Sequence, residues 1–428
     1  MSRSLRFVLL TTFYPPYSFG GDAIHVHTFA RALAAAGHRV DVIHCEDSYH
    51  LLHPGAPEMA GEDLPGLSVH RLRSGYGFAS PLLSHQTGRP YLKAGPIREI
   101  LNSSQPDVIH YHNISLFGPE VLALRPEGGK ELKLYTMHEY WLVCPTHVLW
   151  KFNRRPCEKA DCLRCTVMAR RPPQIWRYNG MLERCTKEVD AFLAPSRFAI
   201  EMHERYGFKR RITQIPLFVD CPDSARDDLT SPHPRPYFLF VGRLEAIKNA
   251  GSLIEAWARF PGADLLIAGT GSELRGLRAR ASSNPRIRFL GQVSQQSLGP
   301  LYANCVACIV PSSMYEVFPL VVLEAFARQV PVVARDRGAL SEMIEQSGGG
   351  LLYRTEGELL AALTRLAHSA ELRSELGANG YRTVNTQWSK DAHLKKYFGL
   401  LRETALRKFG VVPWEAGKAN APPQVARG

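Results

Sequence analysis

The sequence predicts an α/β protein with two doubly wound domains, each built on a parallel sheet with helices on both faces. Three observations support this fold class. The chain has 428 residues, which exceeds one typical hydrophobic core and fits two domains of ordinary size. Short apolar runs alternate along it with stretches of helical period, as in parallel sheets. A segment rich in proline, aspartate and serine, residues 222–236, separates two such series and predicts a linker.

Composition limits the classes of protein that the chain can belong to. Hydrophobic residues make up 45% and charged residues 21%, as in soluble globular proteins, and no apolar run is long enough to span a bilayer. The net charge of +12 indicates anionic partners, namely a nucleotide sugar, anionic lipid headgroups or nucleic acid. Nine cysteines, an odd number without an export signal, favour reduced thiols or a metal in the cytosol over disulfides.

The first domain, predicted over residues 1–221, begins with a strand, a loop and a helix. Leu5 to Thr11 is a near-continuous apolar run, which suits a buried strand. The following loop is rich in proline, aromatic residues and glycine, and Asp22 is predicted to cap the next helix. Gly20 and Gly21 directly precede that helix and form a candidate phosphate cradle, with an ordinary turn as the alternative.

The rest of the first domain continues the alternation. Further strands are predicted at residues 39–44, 108–111, 132–137, 191–194 and 212–215. Residues 49–96 are polar and rich in glycine and proline, and are interpreted as irregular loops on the acceptor side. His110, His112 and His138 lie at strand ends, where ligands of parallel sheets gather. His138 is therefore a candidate to bind a sugar hydroxyl or to assist charge movement, and a structural histidine is the alternative.

A group of cysteines follows His138. Cys144, Cys157, Cys162 and Cys165 lie in one short loop, and the last two have the spacing CxxC. Four thiols at such short spacing are typical of a structural tetrahedral zinc site, for which His147 is a substitute ligand. Free thiols or a redox pair remain the alternatives. Cys305 and Cys308 also read CxxC, but they border an apolar strand and are interpreted as core residues.

The segment from Lys151 to Arg211 is strongly basic. It contains fifteen lysines and arginines against seven acidic residues, interleaved with Trp176, Tyr178 and Tyr206. A solvated surface is the ordinary interpretation of such a segment. The alternative is a face for an anionic membrane or for a lipid-phosphate acceptor.

The second domain is predicted over residues 237–387. Its first strand leads into Gly242-Arg243-Leu244, and Lys248 follows at the start of the next helix. Two cations about one helical turn apart, near a helix start, can neutralise a diphosphate without a metal. Arg243 and Lys248 are therefore candidate diphosphate ligands, and ordinary surface charges are the alternative.

A polar loop between a strand and a helix dominates this domain. The strand Ala307 to Val310 ends at a proline, the loop carries Glu316, and the helix opens at Phe318-Pro319-Leu320 with Glu324 inside it. Such crevices bind phosphorylated ligands in α/β sheets, so this junction is a candidate donor site. Two carboxylates beside an anion site are expected to accept hydrogen bonds from hydroxyls. The alternative is that both are solvated charges.

The chain ends with one more predicted helix. Residues 388–409 contain an amphipathic stretch expected to cross back to the first domain, and residues 410–428 are expected to be a disordered tail.

These motifs resemble glycosyltransferase family 4, whose members have the GT-B fold and transfer sugars with retention. The resemblance rests on Glu316 and Glu324 separated by seven residues, on Gly338 followed by Glu342, on Gly-Arg-Leu with Lys248, and on His138-Glu139-Tyr140-Trp141. It implies that Glu316 and His138 meet the donor sugar, that Glu324 binds the ribose, and that Arg243 and Lys248 bind the diphosphate. Many members have glycine where Val317 and Gln329 stand, and aspartate where Glu139 stands.

The resemblance implies a retaining hexosyltransferase that uses a UDP- or GDP-sugar and a hydroxyl acceptor. The cysteine content predicts a cytoplasmic protein, and the basic segment offers peripheral attachment at the inner membrane as the alternative to a solvated surface. The product would be a polysaccharide, a glycolipid or a glycosylated metabolite. A catalytic metal is not expected, because no Asp-x-Asp pair lies in a loop near these residues. The alternatives are a nucleotide-sugar hydrolase or epimerase of the same fold and, from another class, a nucleic-acid-binding protein with a zinc loop. Nucleic acid is not the expected partner.

Overall fold

The computed structural model describes residues 3–53, 55, 64–152, 154–221 and 230–415. It contains two large sheets in which all strands are parallel, one in each half of the chain. The prediction of two doubly wound α/β domains is confirmed. Within the described ranges, no helix is both long and apolar enough to cross a membrane.

The first half forms a seven-stranded sheet with the order β3-β2-β1-β4-β5-β8-β9 and a separate hairpin, β6-β7. Its strands are β1 (Arg6–Leu10), β2 (Arg39–Cys45), β3 (Leu67–Leu72), β4 (Val108–Tyr111), β5 (Leu132–Thr136), β6 (Trp150–Lys151), β7 (Arg155–Pro156), β8 (Ala191–Ala194) and β9 (Ile212–Gln214). Its helices are α1 (Gly21–Ala35), α2 (Glu46–Leu52), α3 (Ala79–Thr87), α4 (Tyr91–Ser104), α5 (Cys162–Met168), α6 (Met181–Thr186) and α7 (Arg197–Arg205), with 3-10 turns at Pro119–Ala123 and Ile175–Tyr178.

The second half forms a six-stranded sheet with the order β12-β11-β10-β13-β14-β15. Its strands are β10 (Tyr237–Val241), β11 (Asp264–Ala268), β12 (Ile287–Gly291), β13 (Cys308–Val310), β14 (Val332–Arg335) and β15 (Gly350–Tyr353). Its helices are α8 (Ala250–Trp257), α9 (Leu274–Ala281), α10 (Gln295–Ala303), α11 (Leu320–Phe326), α12 (Ala339–Ser347), α13 (Glu356–His368), α14 (Ala370–Thr386) and α15 (Lys390–Phe409), with a 3-10 turn at Ala246–Lys248.

Both sheets are buried on two faces, which explains their continuous apolar strands. In the first sheet β4 and β5 are buried at every position, and in the second β11 is. Strand order reverses between β1 and β4 and between β10 and β13, so each sheet has a switch point at the carboxyl ends of its central strands. Ligand-binding crevices of such sheets lie at these points. The loops that carry the predicted glycines, Arg243, Lys248 and Glu316 start there, whereas the loop of His138 follows the neighbouring strand β5.

A glycine allows the loop after β11 to pack closely against the loop after β10. Gly269 follows β11 with a φ of +142°, and a Cβ at this position would lie 1.9 Å from the carbonyl oxygen of Gly242 after β10. Only glycine allows this approach. The loop that carries Arg243 therefore packs directly against the loop that follows β11.

The last helix joins the two halves. Helix α15 buries Tyr397, Leu401 and Ala405 in a core that also contains Phe7 of β1. Tyr397 contributes a hydroxyl that lies 3.1 Å from Nδ1 of His110. This helix therefore fastens the end of the chain to the first sheet.

Three expectations for individual segments need correction or lie outside the described residues. Residues 49–96 are not merely irregular, since β3, α3 and parts of α2 and α4 fall within them. Asp22 is not the cap of α1, because the helix begins at Gly21 and no side-chain bond caps it. Residues 222–229 of the predicted linker and 416–428 of the predicted tail are outside the described part of the chain. The domain bounds stay a prediction.

Candidate active site

The predicted donor-site loops meet across a cleft between the two sheets. Gly21 at the start of α1 faces Leu320 at the start of α11, and a Cβ on Gly21 would lie 3.5 Å from the Leu320 side chain. Gly20 precedes α1 with a φ of +98°, a conformation that glycine adopts readily. The glycine loop of the first domain and the helix junction of the second, predicted separately, therefore face each other.

Lys248 and Glu316 form an ion pair between the loops that follow β10 and β13. Nζ of Lys248 donates to Oε1 of Glu316 at 2.6 Å, and the hydroxyl of Ser312 donates to the same oxygen at 2.6 Å. Burial alone would raise the pKa of Glu316, but the charge and hydrogen bond of Lys248, with smaller effects of Ser312 and Arg243, hold it below its ordinary value. The carboxyl is therefore an anion fixed beside a cation.

Arg243, in the loop after β10, acts electrostatically on carboxylates of both domains. Its side chain is exposed, and its charge lowers the pKa of Glu316 in its own domain and of Asp22 in the other. For Asp22 burial outweighs this effect and raises the pKa, although the carboxylate accepts a hydrogen bond from Asn113 at 3.0 Å. Arg243 and Lys248 thus place two cations at one cleft, as a diphosphate requires.

The junction Phe318-Pro319-Leu320 differs from expectation in detail. Pro319 stands just before α11, at the cap position, instead of in its first turn. The Phe318 side chain is 6% exposed and packs edge-on against Trp388 with a centroid distance of 5.4 Å. This ring belongs to the core of the second domain, so only the backbone of Phe318 is available at the site.

Glu324 is held by two partners from helix α10. The hydroxyl of Tyr302 donates to Oε2 at 2.7 Å, and Nε2 of Gln295 donates to Oε1 at 3.0 Å. Burial and the neighbouring carboxylate raise the pKa of Tyr302 well above its ordinary value, so this phenol stays a donor. The two bonds fix the orientation of a carboxylate that has acceptor sites to spare.

His138 is neutral and is oriented by a second histidine. Its Nε2 lies 2.9 Å from Nδ1 of His112, and the two rings stack at 5.2 Å. Burial lowers the pKa of His138 to about 4, with Glu139 opposing and His393 adding to the shift. Among described side chains, Nδ1 of His138 has no hydrogen-bond partner, and it is the ring atom left for a ligand.

Several residues of the site were not predicted from the sequence. Ser312 holds Glu316, and Tyr302 and Gln295 hold Glu324, but each comes from a distant position or a loop without a distinctive motif. Glu342 was noted only as part of a motif. Its carboxylate accepts bonds from the backbone N–H groups of Arg197 and Phe198 at the start of α7, at 2.9 and 2.8 Å, so it joins the two domains.

The structure brings the four clustered cysteines to one small cavity. Cys144, Cys157, Cys162 and Cys165 line it together. Burial and the neighbouring thiols raise the pKa of Cys162 to about 11, although the charge of Arg177 acts weakly in the opposite direction. In the ranges that the structure describes, no three histidine, cysteine or acidic side chains are arranged to hold a metal ion. The zinc site therefore stays a prediction. Cys305 and Cys308 are buried in the core, as predicted.

Comparison with known families covers most of the chain. The profile described as Glycosyltransferase Family 4 matches residues 19–223, and the profile described as Glycosyl transferases group 1 matches residues 223–383. The two matches meet where the sequence predicts the linker. Their combined span includes Gly20, Gly21, His138 and every predicted donor-binding residue of the second domain.

Individual proteins agree with these profiles. The chain is 26% identical over 388 residues to a glycogen synthase of Mycobacterium tuberculosis, covering 84% of this chain and 85% of that protein. A sucrose-phosphate synthase from Thermosynechococcus elongatus superposes with a TM-score of 0.73 at 22% identity, covering 93% of this chain and 98% of that one. HepE from Anabaena in complex with UDP superposes with a TM-score of 0.62 at 16% identity, covering 92% and 99%. The two structures share the fold of GT-B glycosyltransferases.

Proposed function

Because the chain belongs to glycosyltransferase family 4 and has the GT-B fold, we propose that it transfers a hexose from a nucleotide diphosphate sugar to a hydroxyl acceptor with retention of configuration. In this reaction the bond from the anomeric carbon to the diphosphate oxygen breaks, and its electron pair stays on the diphosphate. The acceptor oxygen bonds to the same carbon and loses its proton. Negative charge therefore develops on the leaving diphosphate.

The ion pair of Lys248 with Glu316 carries this proposal. A lysine held at 2.6 Å from a buried carboxylate, which the charge of Arg243 also reaches, is a fixed cation at the place where leaving-group charge would appear. Preorganised charges of this kind stabilise a transition state, because they need no reorientation during the reaction. Arg243 and Lys248 would receive the diphosphate and make a catalytic metal unnecessary.

The other site residues would bind the donor. Glu316 and His138 orient the hexose by accepting or donating hydrogen bonds to its hydroxyls. Glu324, fixed by Tyr302 and Gln295, binds the ribose, and the glycines Gly20 and Gly21 leave room for the diphosphate opposite Leu320. Each role uses an atom at or beside the cleft.

We assign the donor to the UDP or GDP class, and the UDP bound to HepE supports a nucleotide diphosphate in such a fold. The hydroxyl acceptor would belong to a growing polysaccharide, a glycolipid or a metabolite, in the cytoplasm or at the inner surface of the inner membrane. The basic segment from Lys151 to Arg211 supports a membrane-bound or lipid-linked acceptor.

The test is a donor screen followed by product analysis. UDP- and GDP-sugars are screened by thermal shift, because a ligand that binds the folded state raises its melting temperature. Donors that bind are then incubated with candidate acceptors, and the anomeric configuration of the product is read by NMR. Transfer with retention is expected. Inversion would overturn the stereochemistry, and release of free sugar or isomerised donor as the sole product would indicate a hydrolase or an epimerase.

A further inference from the structure

Four thiols converge on one cavity beside the active site. Cys144, Cys157, Cys162 and Cys165 line a small cavity between the β6-β7 hairpin, helix α5 and the loop that follows β5. Cys144 lies in the loop after β5, Cys157 follows β7, Cys162 and Cys165 lie on α5, and all four are free cysteines. Cys45, Cys185, Cys305 and Cys308 lie singly or in pairs within apolar cores, whereas of the four cavity cysteines only Cys144 belongs to such a core, with Cys157 packed against it.

The segment around this cavity has little apolar core of its own. Both strands of its hairpin contain two residues, and α5 contains seven. Leu163, Val167 and Met168 on α5 are each about half exposed, at 49%, 58% and 54%. These short elements are held by the core of the first domain, to which Cys144 and Leu149 belong, and a bound metal would cross-link them further.

The backbone of the same segment also stores strain. His147, Leu149, Phe152 and Arg170 are non-glycine residues with positive φ angles between 49° and 72°. Such backbone conformations are unfavourable for residues other than glycine, so the surrounding structure must hold them in place. Three of the four lie between Cys144 and Cys157 in the sequence, and Arg170 follows Cys165.

Polar groups already point at two of the sulfurs. The backbone N–H of Phe152 donates to Sγ of Cys165 at 3.3 Å, and the Thr146 hydroxyl lies 3.3 Å from Sγ of Cys144. Hydrogen bonds from outside the coordination sphere commonly support thiolate ligands of metals.

We propose that Cys144, Cys157, Cys162 and Cys165 bind one structural Zn²⁺ and cross-link the loop after β5, the β6-β7 hairpin and helix α5. Four thiolates complete a tetrahedral sphere and leave no open position for a water, so the ion takes no part in the chemistry. The sulfurs are not yet arranged for a metal in the present structure, so they must move together as the thiols lose their protons to solvent and bind the ion.

The site would stiffen one wall of the donor cleft. Trp150 of β6 lies under the guanidinium of Arg337 at 5.6 Å, and Arg337 donates to the carbonyl of Ser313 at 2.9 Å, in the loop of Glu316. On the other side, Nδ1 of His147 lies 2.9 Å from Oε2 of Glu139, next to His138. The cross-linked segment therefore touches both loops that carry the proposed sugar-binding residues.

The first experiment measures the metal itself in the purified full-length protein. Elemental analysis should find about one zinc per chain and no stoichiometric iron, since four thiolates match zinc. Cys162→Ser and Cys165→Ser should each lose the zinc, whereas Cys221→Ser, a partly exposed cysteine outside the cavity, should keep it. Zinc retained in both cavity variants would overturn the proposal, as would iron in place of zinc.

The second experiment does not depend on a variant that folds. Zinc is removed from the wild-type chain with a chelator and added back while backbone hydrogen exchange is followed. Exchange in residues 144–168 should slow on addition of one equivalent, and magnesium should have no effect. Unchanged exchange, or a disulfide between any two of the four cysteines in freshly prepared protein, would refute the site. These readouts do not involve transfer activity, so their failure leaves the proposed function standing.

Discussion

Lys248 and Glu316 act as a unit, because each is the other's closest charged partner in a partly buried site. We expect Lys248→Ala and Glu316→Gln each to lower kcat by roughly tenfold to a thousandfold, as the loss of one transition-state contact does. The double variant should lose little more than the worse single variant, because groups that act together are not additive. Steady-state kinetics at saturating donor measures all three.

An exposed ion pair in the same domain serves as the matched control for these single and double variants. Arg280 and Glu255 are 2.7 Å apart with side chains about half exposed, and they lie away from the cleft. Glu255→Gln should leave kcat unchanged, since exposed pairs contribute little. Full activity in both Lys248→Ala and Glu316→Gln would show that the site lies elsewhere.

Glu324 is expected to affect binding more than turnover. A ribose contact exists both before and during the reaction, so its loss weakens both states equally. Glu324→Gln should therefore raise the Kd for the nucleotide diphosphate, measured by calorimetry, with kcat near that of the wild type. Tyr302→Phe should also raise the Kd for the nucleotide diphosphate, but by a smaller factor, because the phenol only orients the carboxylate. A collapse of kcat with unchanged Kd would contradict this division of roles.

At this scale, the sequence could predict which residues face the cleft but not which of them pair. Glu316 and Lys248 were found because both follow strands of a parallel sheet, where ligands bind. Their contact joins positions 68 residues apart and depends on the register of β10 beside β13, which no local pattern encodes. The contact of Ser312 with Glu316 could not be predicted either, because no local pattern indicates it. The burial of the Phe318 ring became evident only from its packing against Trp388 in the folded domain.

At the scale of elements, helix α7 of the first domain is held by residues of the second. The Glu342 carboxylate bonds two N–H groups at the start of α7, and the Ser196 hydroxyl donates to the carbonyl of Val317 at 2.7 Å. A carboxylate at a helix start compensates the unpaired N–H groups and the dipole. These contacts join α7 directly to the loop of Glu316.

Glu342→Ala should therefore loosen the contact between the domains. The substitution removes three charge-assisted bonds between the domains, including one from Gln214 at 3.1 Å, and one from Gln346 within α12 at 3.3 Å, and leaves both domain cores intact. We expect a stability loss of about 1–2 kcal/mol in chemical denaturation. Small-angle scattering should show a larger radius of gyration than for Glu345→Ala, an exposed neighbour on α12. Equal radii would contradict the role of Glu342.

Strands with continuous apolar sequences could be predicted, whereas elements with few buried apolar residues could not. Strands β1, β4, β10 and β13 are buried on both faces and appear in the sequence as apolar runs. Residues 49–96 hide β3 and α3, because β3 lies at the sheet edge with few buried positions and α3 has little apolar contrast between its faces. The edge position of β3, which is known only from the folded sheet, explains why this strand was not predicted.

At the scale of the molecule, neutral histidines gather in the interior of the first domain near the final helix. His25, His110, His112, His138 and His393 lie within one network of ring contacts that includes Phe29 and Tyr397. Burial lowers the pKa of His138 and of His393 to about 4, and those of His25, His110 and His112 well below the ordinary value. The sign of the resulting pH dependence follows from these shifts.

The free energy of unfolding should fall as the pH is lowered from 6.5 towards 4. Over this window the unfolded chain binds protons at these histidines and the folded chain does not, so acid favours unfolding by about 1.4 kcal/mol per pH unit for each histidine that stays neutral. Urea denaturation at pH 7.0 and 5.5 should differ by several kcal/mol. His368→Gln, a change at an exposed position on α13, should leave that difference intact, whereas His393→Gln should reduce it. Equal stability at the two pH values would mean that these histidines are protonated in the folded protein.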